Sequence, residues 1–402
     1  MKPLQVTLFL CAAEIFGLAG LATFASLLPH FISTWNLTGT QAGGLSAVYY
    51  GAYVVAVPLL TALTDRRDAR VILIFGLSLG AVAAFGFAWV AGGFWSALVL
   101  RFLAGISLAG VYMPGLKLLS DHTEGPRQSR YVSFYTSSFS LGTSLSFFLA
   151  GEIYAVLGWR LTFIAAGLLT LIGIGFVLPV AAGLKTGQSQ TVSEAGNRFW
   201  DVFKNRQAMA YMLAYAAHMW ELFSLRSWMV VFLAFSLSLQ PDGAVLLKAT
   251  TVVALINLFG LPASIGGNEL CRRFGRQKTV RRIMFFSAFL SLGVGFTAHL
   301  PYIWVVVISL VYGALVLGDS ASLTAGAIAH AAPGARGATL AVHSTLGFSA
   351  AFLGPLITGV VLDLIKYDPQ LAWGAAFATM GIGCALGPLA LRLLKKKGSS
   401  PD

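Results

Sequence analysis

Ionisable side chains recur inside stretches of this sequence that are otherwise almost wholly apolar: Glu14, Arg101, His218, Glu221, Arg226 and Asp319. An ionised group at the centre of a bilayer costs at least ~2.5 kcal/mol, so each reads first as a functional candidate. His218 and Glu221 stand at spacing i, i+3 and are neighbours on one helical face. A histidine beside a carboxylate can exchange protons near neutral pH. Arg226 lies about 80° round the same helix from His218 and can offer an oxyanion two parallel N–H donors. These residues predict proton transfer by Glu14, His218, Glu221 and Asp319, and anion binding by Arg101 and Arg226. Tyr112, Trp220 and Asn257 complete the predicted substrate-binding set. The competing readings are a buried network that fixes one helix against its neighbours, and, for the aromatics, ordinary packing. Two ligands at His218 and Glu221 without a third nearby predict no metal, and no cofactor motif is present. Lys117, near a helix end, can snorkel to water. Glu152 and Asp363 fall near the outer ends of their helices and are read as water-accessible, and His343 as structural.

The elements that must position these residues are transmembrane helices. Of 402 residues, 57% are apolar and 10% are charged, against about 25% charged in a soluble domain. Stretches of about 20 apolar residues span a bilayer as helices. Twelve are predicted, over 6–31, 41–64, 71–92, 94–119, 131–157, 160–183, 207–237, 244–268, 283–299, 302–330, 337–364 and 372–394. The first is too long for a secretory leader, holds Glu14 and is read as a retained helix. The fold class is therefore an all-α membrane protein.

The net charge of +12 carries topology rather than a nucleic-acid partner. Basic residues gather in alternate loops: Arg66, Arg67 and Arg70; Arg127 and Arg130; Lys185 to Arg206; Arg272 to Arg282; Arg336; and the tail from Arg392 to Lys397. The intervening loops hold little beyond Arg160 and Lys366. The positive-inside bias predicts a multi-pass protein of the cytoplasmic (inner) membrane with both termini cytoplasmic. Cys11, Cys271 and Cys384 suggest no disulfide framework.

The chain reads as two related halves. Glu14 and Glu221 are 207 residues apart in matching surroundings, and the same offset lays Pro126-Arg127 over Pro333-Gly334 and span 4 over span 10. Asp319 falls on Tyr112. The polar stretch before span 7 divides the spans six and six, predicting bundles at 1–183 and 207–402 joined by a cytoplasmic linker at 184–206 with a short interfacial helix. A parallel repeat of this kind places substrate between the halves.

Six plus six helices with a basic loop after spans 2 and 8 resemble the major facilitator superfamily, over essentially the whole chain. The family's loop motif, Gly-x-x-x-Asp-Arg-x-Gly-Arg-Arg, is matched in part by each half: Asp65, Arg66 and Arg70 in the first; Arg273, Gly275 and Arg276 in the second. Thr61 and Asp68 stand where the family prefers glycine, and Arg272 replaces the aspartate. The resemblance implies that these loops gate the cytoplasmic side, that spans 1, 4, 7 and 10 line a central cavity, and that the segment from Arg101 to Gly105 resembles the family's proton-linked arginine motif. Spans 2 and 8 lack the central arginine of nitrate carriers, and span 5 lacks the Gly-Pro signature of drug–proton antiporters; Gly354-Pro355 lies in span 11 instead.

Together these readings predict a secondary active transporter, proton-coupled and monomeric, moving a small organic anion or similar polar metabolite by alternating access. Its partners are a small-molecule substrate, protons and the lipid bilayer. The alternative is proton-coupled efflux of cationic or drug-like compounds, favoured by the excess of cavity acids over arginines. A non-transporting sensor would call for a signalling domain, for which linker and tail are too short, and no nucleophile–base arrangement suggests an enzyme.

Overall fold

The computed structural model describes residues 1–64, 66–123, 128–183, 201–241, 247–332 and 335–394. Among these residues there are helices and no strand. In the first half they are α1 (Pro3–Gly17), α2 (Thr23–Ser26), α3 (Leu28–Trp35), α4 (Gly39–Leu63), α5 (Ala69–Val90), α6 (Phe94–Asp121) and α7 (Gln128–Gly183). Then come α8 (Arg206–Ser238), α9 (Ala249–Phe274), α10 (Arg276–Val294), α11 (Tyr302–Gly318), α12 (Ser320–Ala329), α13 (Arg336–Leu364) and α14 (Pro369–Leu393). Ten stretches are long and apolar enough to cross a membrane. One of them, α7, is two spans merged across Gly158, whose φ of 76° lies in the left-handed region open to glycine. With α1 to α3 as a further span, the count agrees with the twelve predicted. The chain divides into two compact units, Met1–Asn36 with Val48–Thr191 and Leu37–Ala47 with Val192–Asp402. The predicted linker lies outside the described residues as far as Trp200.

The repeat register holds in the helix boundaries. α5 begins at Ala69 and α10 at Arg276, 207 residues on; the break at Gly158 corresponds to Ile365, in the gap between α13 and α14. Local chemistry sets these ends. Asp68 caps α5 by accepting the Arg70 amide at 2.9 Å. Asn205 caps α8 through the Ala208 amide at 3.2 Å and donates to the His330 carbonyl at 2.7 Å. Asp368 caps α14 at Leu371, with Pro369 in its first turn. Each such cap stabilises its helix by about 1 kcal/mol.

Two spans predicted as continuous are broken, one in each unit and at non-equivalent positions. Span 1 is interrupted over Leu18–Ala22 and again at Leu27. Pro29, in the first turn of α3, has no amide to bond back to the carbonyl four residues before it, which accounts for the second interruption. Ser146 of α7 repairs the first: its hydroxyl accepts from the Ala22 amide at 3.0 Å and donates to the Ala19 carbonyl at 2.7 Å. Span 10 breaks at Asp319, between α11 and α12. Gly318 precedes that break, and its carbonyl fits against Gly267 of α9, where a Cβ would collide with it. A further difference lies in the basic loop. Arg272 and Arg273 end α9, and Arg276 to Arg282 form the first turns of α10, so Gly275 alone separates the helices. Long basic side chains let a helix run on past its apolar stretch with the charges outside it.

The first unit packs α1, α5 and α7 around Val6, Leu10, Leu73, Leu77 and Val177. Within it Gly105 of α6 lets the helix approach the Tyr49 carbonyl of α4, where no Cβ would fit. The second unit is built round α8, whose spanning window is 72% buried and which therefore carries its polar residues among other helices rather than in lipid. Also in this unit, Asp363 is not simply water-exposed. Its carboxylate accepts the Gly39 and Thr40 amides at 2.6 and 2.7 Å and the Thr40 hydroxyl at 2.6 Å, capping the first turn of α4.

Candidate functional site

In the first unit Glu14 sits in the last turn of α1, immediately before the break, and is 1% exposed. The Ser138 hydroxyl of α7 donates to its Oε2, while Oε1 is buried without a hydrogen-bond partner. Ser138 also lies 2.6 Å from the Tyr135 carbonyl. One hydroxyl proton serves one of these acceptors at a time, so both contacts are satisfied together when Glu14 carries a proton. Arg101 of α6 is buried with its guanidinium carbon 4.4 Å from the Tyr49 ring centroid and 4.9 Å from that of Phe24. Phe24 belongs to α2, so the break in span 1 brings an aromatic ring to the arginine by cation–π contact. Tyr112 stacks on Tyr135 at 5.9 Å. Lys117 pairs with Asp121 at 3.0 Å near the end of α6.

In the second unit the sequence pairing of His218 with Glu221 is replaced by another. His218 Nδ1 stands 2.7 Å from Asp319 Oδ1, and both side chains are buried. The contact is short but not aligned as a hydrogen bond, and His218 Nε2 has no hydrogen-bond partner either. Helical spacing alone placed Glu221 beside His218; the break in span 10 brings Asp319 to it instead. Glu221 turns to α10 and α11, where its Oε1 accepts from Ser287 at 2.9 Å and from Tyr312 at 3.0 Å. Ser291 extends this network, lying 3.3 Å from the Tyr312 hydroxyl and donating to the Phe377 carbonyl at 2.5 Å. Glu221 is thus held by a hydrogen-bonded carboxylate network linking α8, α10 and α11.

Arg226 donates from Nε to Asn257 Oδ1 at 2.9 Å, and Asn257 in turn donates to the Val253 carbonyl at 2.9 Å. This brings together two of the predicted substrate-binding residues. Trp220 departs from that set: its indole N–H donates to the Thr379 carbonyl at 3.1 Å, and its ring lies against Gly383 of α14. It packs α8 on α14. His343 of α13, read from the sequence as structural, lies in the same neighbourhood as His218. The Tyr215 ring stacks on both, with centroids 3.8 Å from His343 and 5.8 Å from His218. Ser138, Ser287, Tyr312, Tyr215 and His343 were not selected by sequence because serine, tyrosine and a lone histidine are common in packed helices.

Of the predicted gating loop, Asp65 lies outside the described residues. Arg70 turns to Asp68, with Nε 2.8 Å from both carboxylate oxygens, and donates from Nη1 to the Ala181 carbonyl at 2.6 Å. Hydrogen bonds from the Arg70 side chain hold the Asp68 carboxyl below the usual aspartate range, against the opposing effect of partial burial. The aspartate in the family's glycine position thus works as a cap and an arginine partner. Arg66 stands exposed just before it. In the second half Gly275 takes φ 87°, Arg273 lies over the Phe274 ring at 5.5 Å, and Arg276 Nε is buried without a hydrogen-bond partner.

Comparison with known proteins gives one consistent picture. The Major Facilitator Superfamily profile matches residues 10–355. A benzoate transport protein of Acinetobacter baylyi is 22% identical, over 95% of this chain and 87% of its own length. Multidrug resistance protein 1 of Bacillus subtilis is also 22% identical, over 96% of each chain. The uncharacterised MFS-type transporter YbcL of Bacillus subtilis is 29% identical, but the match spans 40% of this chain and 42% of that protein. Among solved structures, the nucleoside transporter NupG has a TM-score of 0.73 at 15% identity, covering 97% of this chain and 98% of its own. A bacterial homologue of the human lysosomal transporter Spinster has 0.72 at 15%, covering 98% and 96%. These structural likenesses show a shared fold.

Proposed function

This chain belongs to the Major Facilitator Superfamily, and from that premise we propose that it is a proton-coupled secondary transporter of small organic anions. Family membership supports a membrane transporter. The observation that carries the coupling is the buried His218–Asp319 pair at the break in span 10. Ionisable groups inside a membrane protein mark ion pathways, and a discontinuous helix is where transporters place them. Glu14, with a serine contact that a proton completes, is the proposed proton station of the first unit, at a position not equivalent to Asp319. Glu221 supports α8 within its network and takes part in coupling through that helix.

Arg101, backed by aromatic rings, and Arg226, oriented by Asn257, supply the positive groups for an anion, with Tyr112 about three turns further along the helix of the first. The benzoate transport relative favours the same substrate class. Efflux of cationic or drug-like compounds is the second reading; the multidrug relative and the three acids Glu14, Glu221 and Asp319 favour it. The charge distribution supports a cytoplasmic-membrane location with both termini and both basic loops inside, Arg66 and Arg70 in one gate and Arg273, Gly275 and Arg276 in the other. The protein is taken to work as a monomer of two bundles, 1–183 and 207–402, joined by the segment 184–206, exposing its site to each side in turn.

The test is uptake of radiolabelled benzoate and other small monocarboxylates into proteoliposomes under an imposed proton gradient, with ethidium as the cation control. Wild type should accumulate a carboxylate only with the gradient, and Asp319→Asn should lose at least about tenfold of that accumulation while still exchanging substrate across equal pH. Gradient-driven ethidium movement without carboxylate uptake would replace the anion reading by the efflux one. Accumulation by Asp319→Asn equal to wild type would remove the pair from the coupling mechanism.

A further inference from the structure

One face of α10 changes character along its length. Lys278, Arg282, Phe285 and Phe289 follow one another at spacings of a single helical turn. At 100° per residue they lie within about 60° of each other, in a strip roughly 16 Å long. All four are exposed, Phe285 at 61% and Phe289 at 68%, and exposed Arg281 and Phe286 flank them. The opposite face, with Val280, Met284, Ser287 and Ser291, is buried in the second unit. The strip therefore faces the surroundings of the protein, cationic over its first turns and aromatic over the next. Among the described residues, no hydrogen-bond or ion-pair partner reaches Lys278, Arg281 or Arg282; the neighbouring Glu269 pairs with Arg272. The internal repeat supplies a comparison. The 207-residue offset lays the strip on Val71, Phe75, Ser78 and Val82 of α5, a face that carries no charge although Val71, Phe75 and Val82 are exposed. A helix in this place thus needs no cation for its packing, and Arg272, Arg273 and Arg276 already give the turn before it a topological charge. Cations in the first turns of a helix also oppose its dipole. Lys278, Arg281 and Arg282 call for a negative group that the described residues do not supply.

We propose that this face of α10 seats an anionic phospholipid, from the leaflet on the side of the basic loops. Its phosphate lies against Lys278, Arg281 and Arg282, and its acyl chains run along Phe285 and Phe289. The order of the side chains carries the assignment. A phospholipid presents a phosphate and then hydrocarbon along the direction in which a spanning helix enters the bilayer, and the strip presents cations and then rings in the same order. Free phosphate would engage the cations and leave the rings unused. A zwitterionic lipid brings the same phosphate together with a positive group, which three cations without an acidic partner repel, so the site selects a net negative headgroup. A basic residue close to an anionic bilayer surface strengthens attachment roughly fivefold. The proposal needs α10 to span the membrane, which family membership supports, and is independent of substrate and of proton coupling.

The test is native mass spectrometry of the full-length protein in detergent, titrated with phosphatidylglycerol or with phosphatidylcholine carrying the same acyl chains. Wild type should bind the first lipid at least about tenfold more tightly than the second, from roughly fivefold per cation. Lys278→Gln with Arg282→Gln should weaken phosphatidylglycerol by about 25-fold and abolish the preference, while Lys278→Arg with Arg282→Lys should retain it. Arg67→Gln with Arg130→Gln removes the same charge from exposed positions of the first unit and should leave the preference unchanged. Phe285→Ser, which copies Ser78 of the other repeat, should weaken both lipids together. Equal affinity of wild type for the two lipids overturns the proposal. So does an equal loss of preference from the charge removals in the two units, which would mean that net charge and no particular site attracts the lipid. Displacement of phosphatidylglycerol by inorganic phosphate, with Phe285→Ser indistinguishable from wild type, would replace the lipid by a free anion. None of these readings involves transport, so failure here leaves the transporter reading standing, and failure of uptake leaves the lipid measurement intact.

Discussion

Ser146→Ala tests whether one side chain holds the break in span 1. The hydroxyl accepts from the Ala22 amide at 3.0 Å and donates to the Ala19 carbonyl at 2.7 Å. The carbonyl keeps a second donor in the variant, since the Thr23 hydroxyl lies 3.1 Å from it. The loss falls on the amide, which is buried beside a serine that is 1% exposed. A buried N–H left without a partner costs about 1–3 kcal/mol. For a unit of roughly 180 residues this corresponds to a fall in Tm of about 2–10 °C. The assay is tryptophan fluorescence on heating in detergent, with Thr136→Ala as the control. That hydroxyl makes a local, exposed bond to the Ser133 carbonyl at 3.1 Å, and its loss should stay within about 0.5 kcal/mol. Because the break also carries Phe24 to Arg101, the same variant should weaken carboxylate binding. A Tm within about 1 °C of wild type would refute the repair by Ser146, and the bend would have to be held by the packing of Phe24 and Phe31 alone.

Two further outcomes follow from caps. Asp363→Asn replaces a carboxylate that accepts two amides and a hydroxyl; charge-assisted bonds are worth about 1.5–3 kcal/mol each, so a net loss of about 2 kcal/mol is expected, since asparagine retains one acceptor. Hydrogen exchange at Gly39 and Thr40 should then rise by roughly 30-fold, and unchanged protection would show that the α4 turn stands without Asp363. The Asp68 carboxyl is held below its ordinary range by Arg70, so it contributes stability above the unfolded aspartate value of about 3.9 and loses it as pH falls through the lower folded value. Asp68→Asn should flatten the acid limb of the Tm–pH curve; limbs that run parallel for both proteins from about pH 5 down to about pH 3 would refute the pairing.

What could be read without coordinates was whatever depends on solvent and on chain-local geometry. Twelve apolar stretches must become helices because a bilayer satisfies no backbone polar group from outside, and the offset between Glu14 and Glu221 carries through to helix ends such as Ala69 and Arg276. The importance of intramembrane charge was equally legible, since its cost depends on depth and not on neighbours. Which charges meet was not. Spacing on α8 can place Glu221 near His218, but a partner from another helix depends on rotation and packing, and these gave His218 to Asp319 and Glu221 to Ser287 and Tyr312. The breaks at Leu18–Ala22 and Asp319 were hidden for the same reason. Hydropathy averages over a whole span, whereas a break survives only where a side chain from another element, such as Ser146, satisfies the backbone groups it frees.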